Sequence, residues 1–336
     1  MEKEYKFLVC TRCFTYNHAS YIKDALHGFV IQETTFPYVC IIVDDASVDG
    51  EQDVIMHFLA EHFKEPYHID ETEYAWIYCA EHKSNENCQF VVLLLKYNHH
   101  QIKKSKLPYL TNWLDSSKYQ AFCEGDDYWT DTRKLQKQVA FLETNPDYTL
   151  CFHSVFETFE GRHRLDRIRC KVEDREYSGV EWYKDRPAQL ASFMLRSWVV
   201  NSDMYRRVID DPVFKAGDVP LLLTCAHYGK LRGVSEVMSV YRHNETGWTQ
   251  KKRPKEAVIK IAESELHYSV FGEEYRPIGE GFYCLALVRA FVNTIYSRST
   301  SVDTDYLRLA WNKSKSKTIK SIFILIKKYI KKYFCI

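Results

Sequence analysis

The chain has 336 residues, enough for one large core or for one core with a smaller appended domain. Its apolar share of 46% and charged share of 27% are those of an ordinary globular protein. The net charge of +1 conceals a division: residues 313–336 hold eight lysines and no acid, leaving 38 basic against 45 acidic side chains elsewhere. An acidic body excludes a nucleic-acid binder with a basic stripe on its fold, and the basic tail calls for a partner of its own.

Eleven cysteines are an odd number in a long chain, and Met1–Lys6 is charged and runs straight into Phe7-Leu8-Val9. The expectation is therefore reduced thiols and a cytoplasmic protein with no leader. Cys10 and Cys13 form a C-x-x-C, but three residues apart on a strand they face opposite sides and cannot share a metal. No uninterrupted apolar run approaches the roughly 18 residues that cross a bilayer.

In chain order, Phe7–Thr11 reads as a buried strand. Ile22, Ala25, Leu26, Phe29 and Val30 follow helical spacing, with Ser20 as N-cap. Tyr38–Val43 is a continuous apolar strand, and Val54, Ile55, Phe58, Leu59 and Phe63 mark a second helix. Ala75–Cys79 is read as a third strand, Phe90–Leu95 as a third helix, and His99–Lys106 as a polar loop. Tyr119–Cys123 is a fourth strand that leads into Glu124-Gly125-Asp126-Asp127, and Leu135, Val139 and Leu142 mark a helix closed by Asn145-Pro146. This alternation predicts an α/β fold with a doubly wound, mainly parallel, Rossmann-like sheet. Later, Glu157–Arg175 is charged and exposed, Gln189–Val200 mixed, Val219–Tyr228 helical and Val234–Tyr241 strand-like. Residues 256–312 read as a few helices. The expected organisation is a main domain over 1–250, a C-terminal helical extension over 251–312 and a basic amphipathic tail over 313–336.

In such a sheet, ligands bind beyond the carboxyl ends of the strands. Three polar clusters stand there: Thr15-Tyr16-Asn17, Asp44-Asp45 and Asp126-Asp127. Adjacent carboxylates at a strand end are costly without a cation, and Mg²⁺ or Mn²⁺ takes one or two of them together with phosphate oxygens. A solvated Gly-Asp-Asp turn is the alternative reading of that pair.

Taken together, Thr15-Tyr16-Asn17-His18 with Tyr21-Ile22, then Val43-Asp44-Asp45-Ala46-Ser47-Val48-Asp49-Gly50, resemble the opening of family 2 inverting glycosyltransferases with the GT-A fold. Cys123-Glu124-Gly125-Asp126-Asp127-Tyr128-Trp129-Thr130-Asp131, followed by Lys134-Leu135-Gln136-Lys137-Gln138, is similar to the family's D-x-D region. The resemblance covers roughly residues 5–250. It implies that Thr15, Tyr16, Asn17, Asp45 and Asp126 bind a nucleotide sugar, a UDP-sugar above all, and that Asp127 ligates Mn²⁺ or Mg²⁺. Asp218, in Ala216-Gly217-Asp218-Val219-Pro220, reads from those residues alone as an ordinary helix cap, and the resemblance implies it as the base that deprotonates an acceptor hydroxyl. Ser192–Arg196 resembles the segment below the acceptor. His243 is a further metal candidate and Trp248 an acceptor-side one. Arg12 and Lys103–Leu107 depart from the pattern and leave the donor open.

In the tail, Ile319, Ile322, Phe323, Ile326 and Ile330 fall on one helical face, with lysines 320, 327, 328, 331 and 332 around the rest. The 319–334 helix suits an anionic membrane surface, or else docking on the protein itself. The resemblance then implies an enzyme held on the inner face of the cytoplasmic membrane. It would glycosylate a glycan or lipid-linked acceptor in bacterial polysaccharide or lipopolysaccharide assembly. A catalytically inactive relative that binds a nucleotide sugar or glycan is the competing class. A nucleotidyltransferase is weaker, because Thr11–Ser20 lacks a glycine-rich phosphate loop.

Overall fold

The computed structural model describes residues 4–65, 67–160, 165–169, 171–209, 211, 213, 217–244, 256–296 and 304–334. The chain forms two compact units. One comprises Met1–Ser178, Arg186–Ser202 and Tyr228–Gly247, and the other Gly179–Asp185, Asp203–His227 and Trp248–Ile336.

The first unit opens β1 (Phe7–Thr15), α1 (Ile22–Val30), β2 (Tyr38–Asp44), α2 (Glu51–His62), β3 (Tyr67–Glu71), β4 (Ala75–Glu81) and β5 (Cys88–Leu95). It continues with the short α3 (Thr111–Asp115), β6 (Ser117–Phe122), β7 (Tyr128–Trp129), α4 (Lys134–Thr144), β8 (Tyr148–Phe159), β9 (Arg167–Ile168) and β10 (Glu176–Tyr177). It ends with β11 (Met194–Arg196) and β12 (Lys230–His243). These strands make one sheet in the order β10-β12-β8-β11-β6-β1-β2-β5-β4-β3, with β7 on β12 and β9 on β8. The centre β6-β1-β2-β5 is parallel, as expected, while β11 and the β4–β3 pair run antiparallel beside it.

The central strands are apolar throughout because both faces are covered. Tyr38, Cys40 and Ile42 of β2 pack into one core with α1, α2 and α4, through Leu26, Phe29, Phe58, Leu135 and Val139. Val39, Ile41 and Val43 pack into the opposite core with Leu110 and Leu114. The same alternation corrects one expectation: residues 90–95 form a strand, not a helix. Phe90, Val92 and Leu94 enter the first core, and Val91, Leu93 and Leu95 the second. Cys13 and Cys10 likewise lie in opposite cores, and nine cysteines among the described residues are free thiols. At the start of α1 the expected Ser20 cap is not used. Tyr21 is the N-cap residue, and the first turn closes on the His18 carbonyl, which accepts from the Tyr21 and Ile22 N–H groups at 2.8 Å each.

The second unit is helical: α5 (Gly179–Asp185), α6 (Asp203–Ile209), α7 (Asp218–Tyr228), α8 (Glu256–Phe271), α9 (Arg276–Tyr296), α10 (Asp305–Lys313) and α11 (Lys315–Phe334). α9 packs against α8, α10 and α11, around a small core of Leu287, Val288, Ala310 and Leu325. By length and composition the stretch Glu273–Ile295 is apolar enough to cross a bilayer, with a mean hydropathy of 1.2. A search for uninterrupted apolar runs overlooked it, since charged residues such as Arg276, Glu280 and Arg289 break its sequence.

Candidate functional site

Three of the predicted clusters leave the carboxyl ends of neighbouring parallel strands. β1 runs in register with β2, Thr15 opposite Asp44, and with β6, Arg12 opposite Phe122. Backbone bonds continue this alignment past the strand ends: the Asp45 N–H donates to the Thr15 carbonyl at 3.0 Å and the Gly125 N–H to the Phe14 carbonyl at 3.1 Å. The exits of β1 and β2 each turn through a non-glycine residue in the left-handed region, Asn17 at φ 57° and Ala46 at φ 60°.

The turns are held by Glu51, the first residue of α2, which sequence reasoning did not single out. Its buried carboxylate accepts from the Thr15 hydroxyl, from the Ser47 hydroxyl at 2.8 Å and from the His18 N–H at 2.8 Å. Burial pushes its pKa up, against those hydrogen bonds. Asn17 completes the link, accepting from the Val48 N–H through Oδ1 at 2.9 Å and donating its own N–H to Ser47 Oγ at 2.9 Å. Thr15 and Asn17 thus brace the β1 and β2 exits against each other, and Tyr16 between them is exposed.

Asp45 is buried beneath the 96–106 loop. Its carboxylate accepts from the His99 N–H at 2.7 Å and the His100 N–H at 3.3 Å, and pairs with Lys106 Nζ at 2.8 Å. The departure noted at Lys103–Leu107 is therefore the segment that brings a cation to Asp45.

Asp126 and Asp127 follow β6. The pairing of β7 with β12, Trp129 opposite Ser239 and Tyr128 opposite Val240, brings the end of β12 over them. Asp127 is buried and accepts from the Arg242 N–H at 3.0 Å. Asp126 is partly exposed, accepts from Asn244 Nδ2 at 2.9 Å and lies 3.9 Å from His18 Nε2. Burial first, and the neighbouring Asp126 charge second, raise the Asp127 pKa well above the carboxylate range. The Arg242 guanidinium offsets the pair only in part: it donates to the Asp126 carbonyl at 3.3 Å, and its charge lowers the Asp127 pKa by less than burial and Asp126 raise it. It is gripped by Asp24 at 2.6 Å and Glu160 at 2.9 Å, over the rings of Tyr21 and Tyr128.

His243 turns to another partner. Its Nε2 lies 3.1 Å from Glu157 Oε1, and its ring stacks on Phe159 with centroids 4.4 Å apart. Glu157 also takes Arg169 at 2.7 Å and Arg167 at 3.1 Å, and these bonds outweigh its burial and lower its pKa. Asp218 is the first residue of α7, in the second unit, and Gly217 supplies the carbonyl that accepts the Leu221 N–H at 3.1 Å. Trp248 lies outside the described residues. Among the described residues no group of three or more His, Cys, Asp or Glu is arranged as a metal cage. The Asp126–Asp127 pair instead offers one or two carboxylates, the set that suits an ion sharing its shell with water and phosphate.

No protein-family model matches the chain. An uncharacterized protein of Mycobacterium tuberculosis and another of Mycobacterium bovis are each 29% identical over 238 residues, which is 69% of this chain. The chain spans a little over half of those relatives, 58% of their length. Among solved structures, S. aureus TarS residues 1–349 in complex with UDP-GlcNAc superposes with a TM-score of 0.56 at 13% identity, over 96% of this chain and 91% of that one. A second crystal structure of S. aureus TarS residues 1–349 gives a TM-score of 0.54 at 13% identity, over 93% of this chain and 80% of that one. The likeness is one of fold.

Proposed function

We propose that this chain is a metal-dependent inverting glycosyltransferase that takes its sugar from a nucleotide diphosphate sugar, UDP-linked by preference, and gives it to a glycan or lipid-linked hydroxyl. The observation that carries the reading is the Asp126–Asp127 pair. It lies at the carboxyl end of a central parallel strand, with Asp127 buried and its pKa raised by burial and by its neighbour. Such a pair is costly alone and favourable around a divalent cation. The likeness in fold to TarS, crystallised with UDP-GlcNAc, supports the same reading.

Asp127 and Asp126 would hold Mn²⁺ or Mg²⁺. When bound, the ion supplies positive charge for the departing diphosphate. The chain's own residues do the rest. The β1 exit, with Thr15, Tyr16 and Asn17, forms one wall for the nucleoside, and Asp45 beside it fixes the neighbouring wall. Asn244 and the Arg242 N–H hold the two carboxylates in place. Asp218 accepts the proton of the acceptor hydroxyl. The acceptor oxygen forms the new bond to the anomeric carbon as the bond to the diphosphate oxygen breaks, which inverts the configuration.

Calorimetric titration of UDP with and without Mn²⁺ tests the donor site. Wild type is expected to bind UDP only with the metal, and Asp127→Asn to lose that binding by about a hundredfold or more. Binding of UDP that ignores both metal and mutation would sink the metal role. Binding with no turnover of any sugar nucleotide would shift the reading to an inactive sugar-nucleotide-binding relative.

A further inference from the structure

We propose that the face of α11 carrying Ile319, Phe323 and Ile326, with Lys315, Lys320 and Lys327 beside it, seats on an anionic lipid surface. α11 has two apolar edges with different fates. Thr318, Ser321 and Leu325 are buried, and Leu325 and Ile322 join the core that α9 and α10 build with Leu287, Val288 and Ala310. That inner edge docks the helix and keeps it folded without lipid. The outer edge is left bare: Ile319 is 43% exposed, Ile326 48% and Phe323 66%. A packed helix does not usually hold its largest apolar side chains in water on a second face.

The lysines divide in the same way. Lys313 pairs inward with Glu265 at 2.8 Å and Lys317 with Glu280 at 2.5 Å. Lys315, Lys320 and Lys327 are exposed and have no ion-pair partner among the described residues. The sequence adds Lys328, Lys331 and Lys332, and holds no acid from residue 313 to 336. Charge decides the occupant. A second copy of this helix would set lysine against lysine, whereas an anionic bilayer meets the lysines with opposite charge and takes Phe323 and its neighbours into its apolar boundary. The helix then lies in the plane of the interface, with its inner edge still on α9.

The test uses the full chain and sedimentation with vesicles, read without any turnover, so it stands apart from the donor-site reading. Wild type is expected to sediment with phosphatidylcholine–phosphatidylglycerol vesicles, to remain free of phosphatidylcholine alone, and to be released by added salt. Changing Lys315, Lys320 and Lys327 together to Glu should weaken binding about a hundredfold, at roughly fivefold or more per lysine. Phe323→Asp should weaken it about tenfold or more while leaving the circular dichroism unchanged, since that side chain is exposed. Equal binding to both vesicle types, or to neither, overturns the proposal. So does wild-type binding by both variants, and so does a lipid-free dimer that Phe323→Asp dissociates.

Discussion

Lys134 lies fully buried in the core, its ammonium 4.1 Å from the centre of the Trp129 ring and donating to Gln138 Oε1 at 2.8 Å. Burial pushes its pKa down to about 7. The unfolded chain, with an ordinary lysine, holds a proton that the folded chain has released between about pH 7 and pH 10. Stability contributed by this group therefore rises with pH across that window. Lys134→Met is expected to stabilise the protein at pH 7 by on the order of 1–3 kcal/mol and to flatten the rise, as read from urea unfolding at several pH values. Asp127 has the opposite sign, although burial is again the main cause. Its raised pKa means that the folded chain holds the extra proton, so its contribution is lost as pH climbs above the ordinary carboxylate value of about 4. Asp127→Asn should thus melt above metal-free wild type at neutral pH, by about 2–4 °C per kcal/mol. Added Mn²⁺ should raise the melting temperature of wild type alone. An unchanged melting temperature in the variant, with Mn²⁺ still stabilising it, would remove both the burial cost and the metal role. At this scale the strand-end acids were legible because acids after an apolar run stand out. Glu51 was not, since an acid in the first turn of a helix reads as a dipole partner, and only the fold shows three donors turned onto it.

Among the described glycines, the tightest approach is where β6 exits beside β1. A Cβ on Gly125 would stand 2.0 Å from Thr15 Oγ1 and 2.5 Å from Thr15 Cβ, so the turn into Asp126 can approach β1 only as glycine. Gly50, before α2, sits at φ 90° with open space around it. The two positions separate steric from conformational cost. Gly50→Ala should lose about 1–2 kcal/mol and leave UDP binding intact. Gly125→Ala should lose about 2–4 kcal/mol, and should weaken Mn²⁺-dependent UDP binding by displacing the Asp126–Asp127 turn. Equal effects on binding from the two would mean that the β6 exit does not shape the donor site. The parallel centre was readable from alternating apolar runs and amphipathic helices. β5 was not, because a strand buried on both faces has no period of two, and six apolar residues in a row suit a helix as well. The long β8 and its parallel pairing with β12 were missed for a related reason. Buried polar groups at His153, Ser154 and Glu157 break the apolar pattern of β8, and its partner lies some 80 residues on.

For the whole molecule, the residues proposed for the donor and the residue proposed as base belong to different compact units. Asp126, Asp127 and Asp45 belong to the sheet, and Asp218 opens α7 in the helical unit. Binding and chemistry should therefore separate by mutation. Asp218→Asn keeps the shape and the polarity of the first turn of α7, removing only the ability to take a proton at neutral pH. General-base catalysis contributes about 10²–10⁴-fold, so kcat is expected to fall within that range. UDP affinity with Mn²⁺ should stay within about twofold of wild type, because no donor contact is assigned to this residue. A helix-start role alone predicts another pattern: Asp218 would contribute only its charge to the N-terminus of α7, so turnover would stay near wild type and the melting temperature would fall only slightly. Near-wild-type turnover would assign the proton transfer to another residue and leave Asp218 as a helix-start acid.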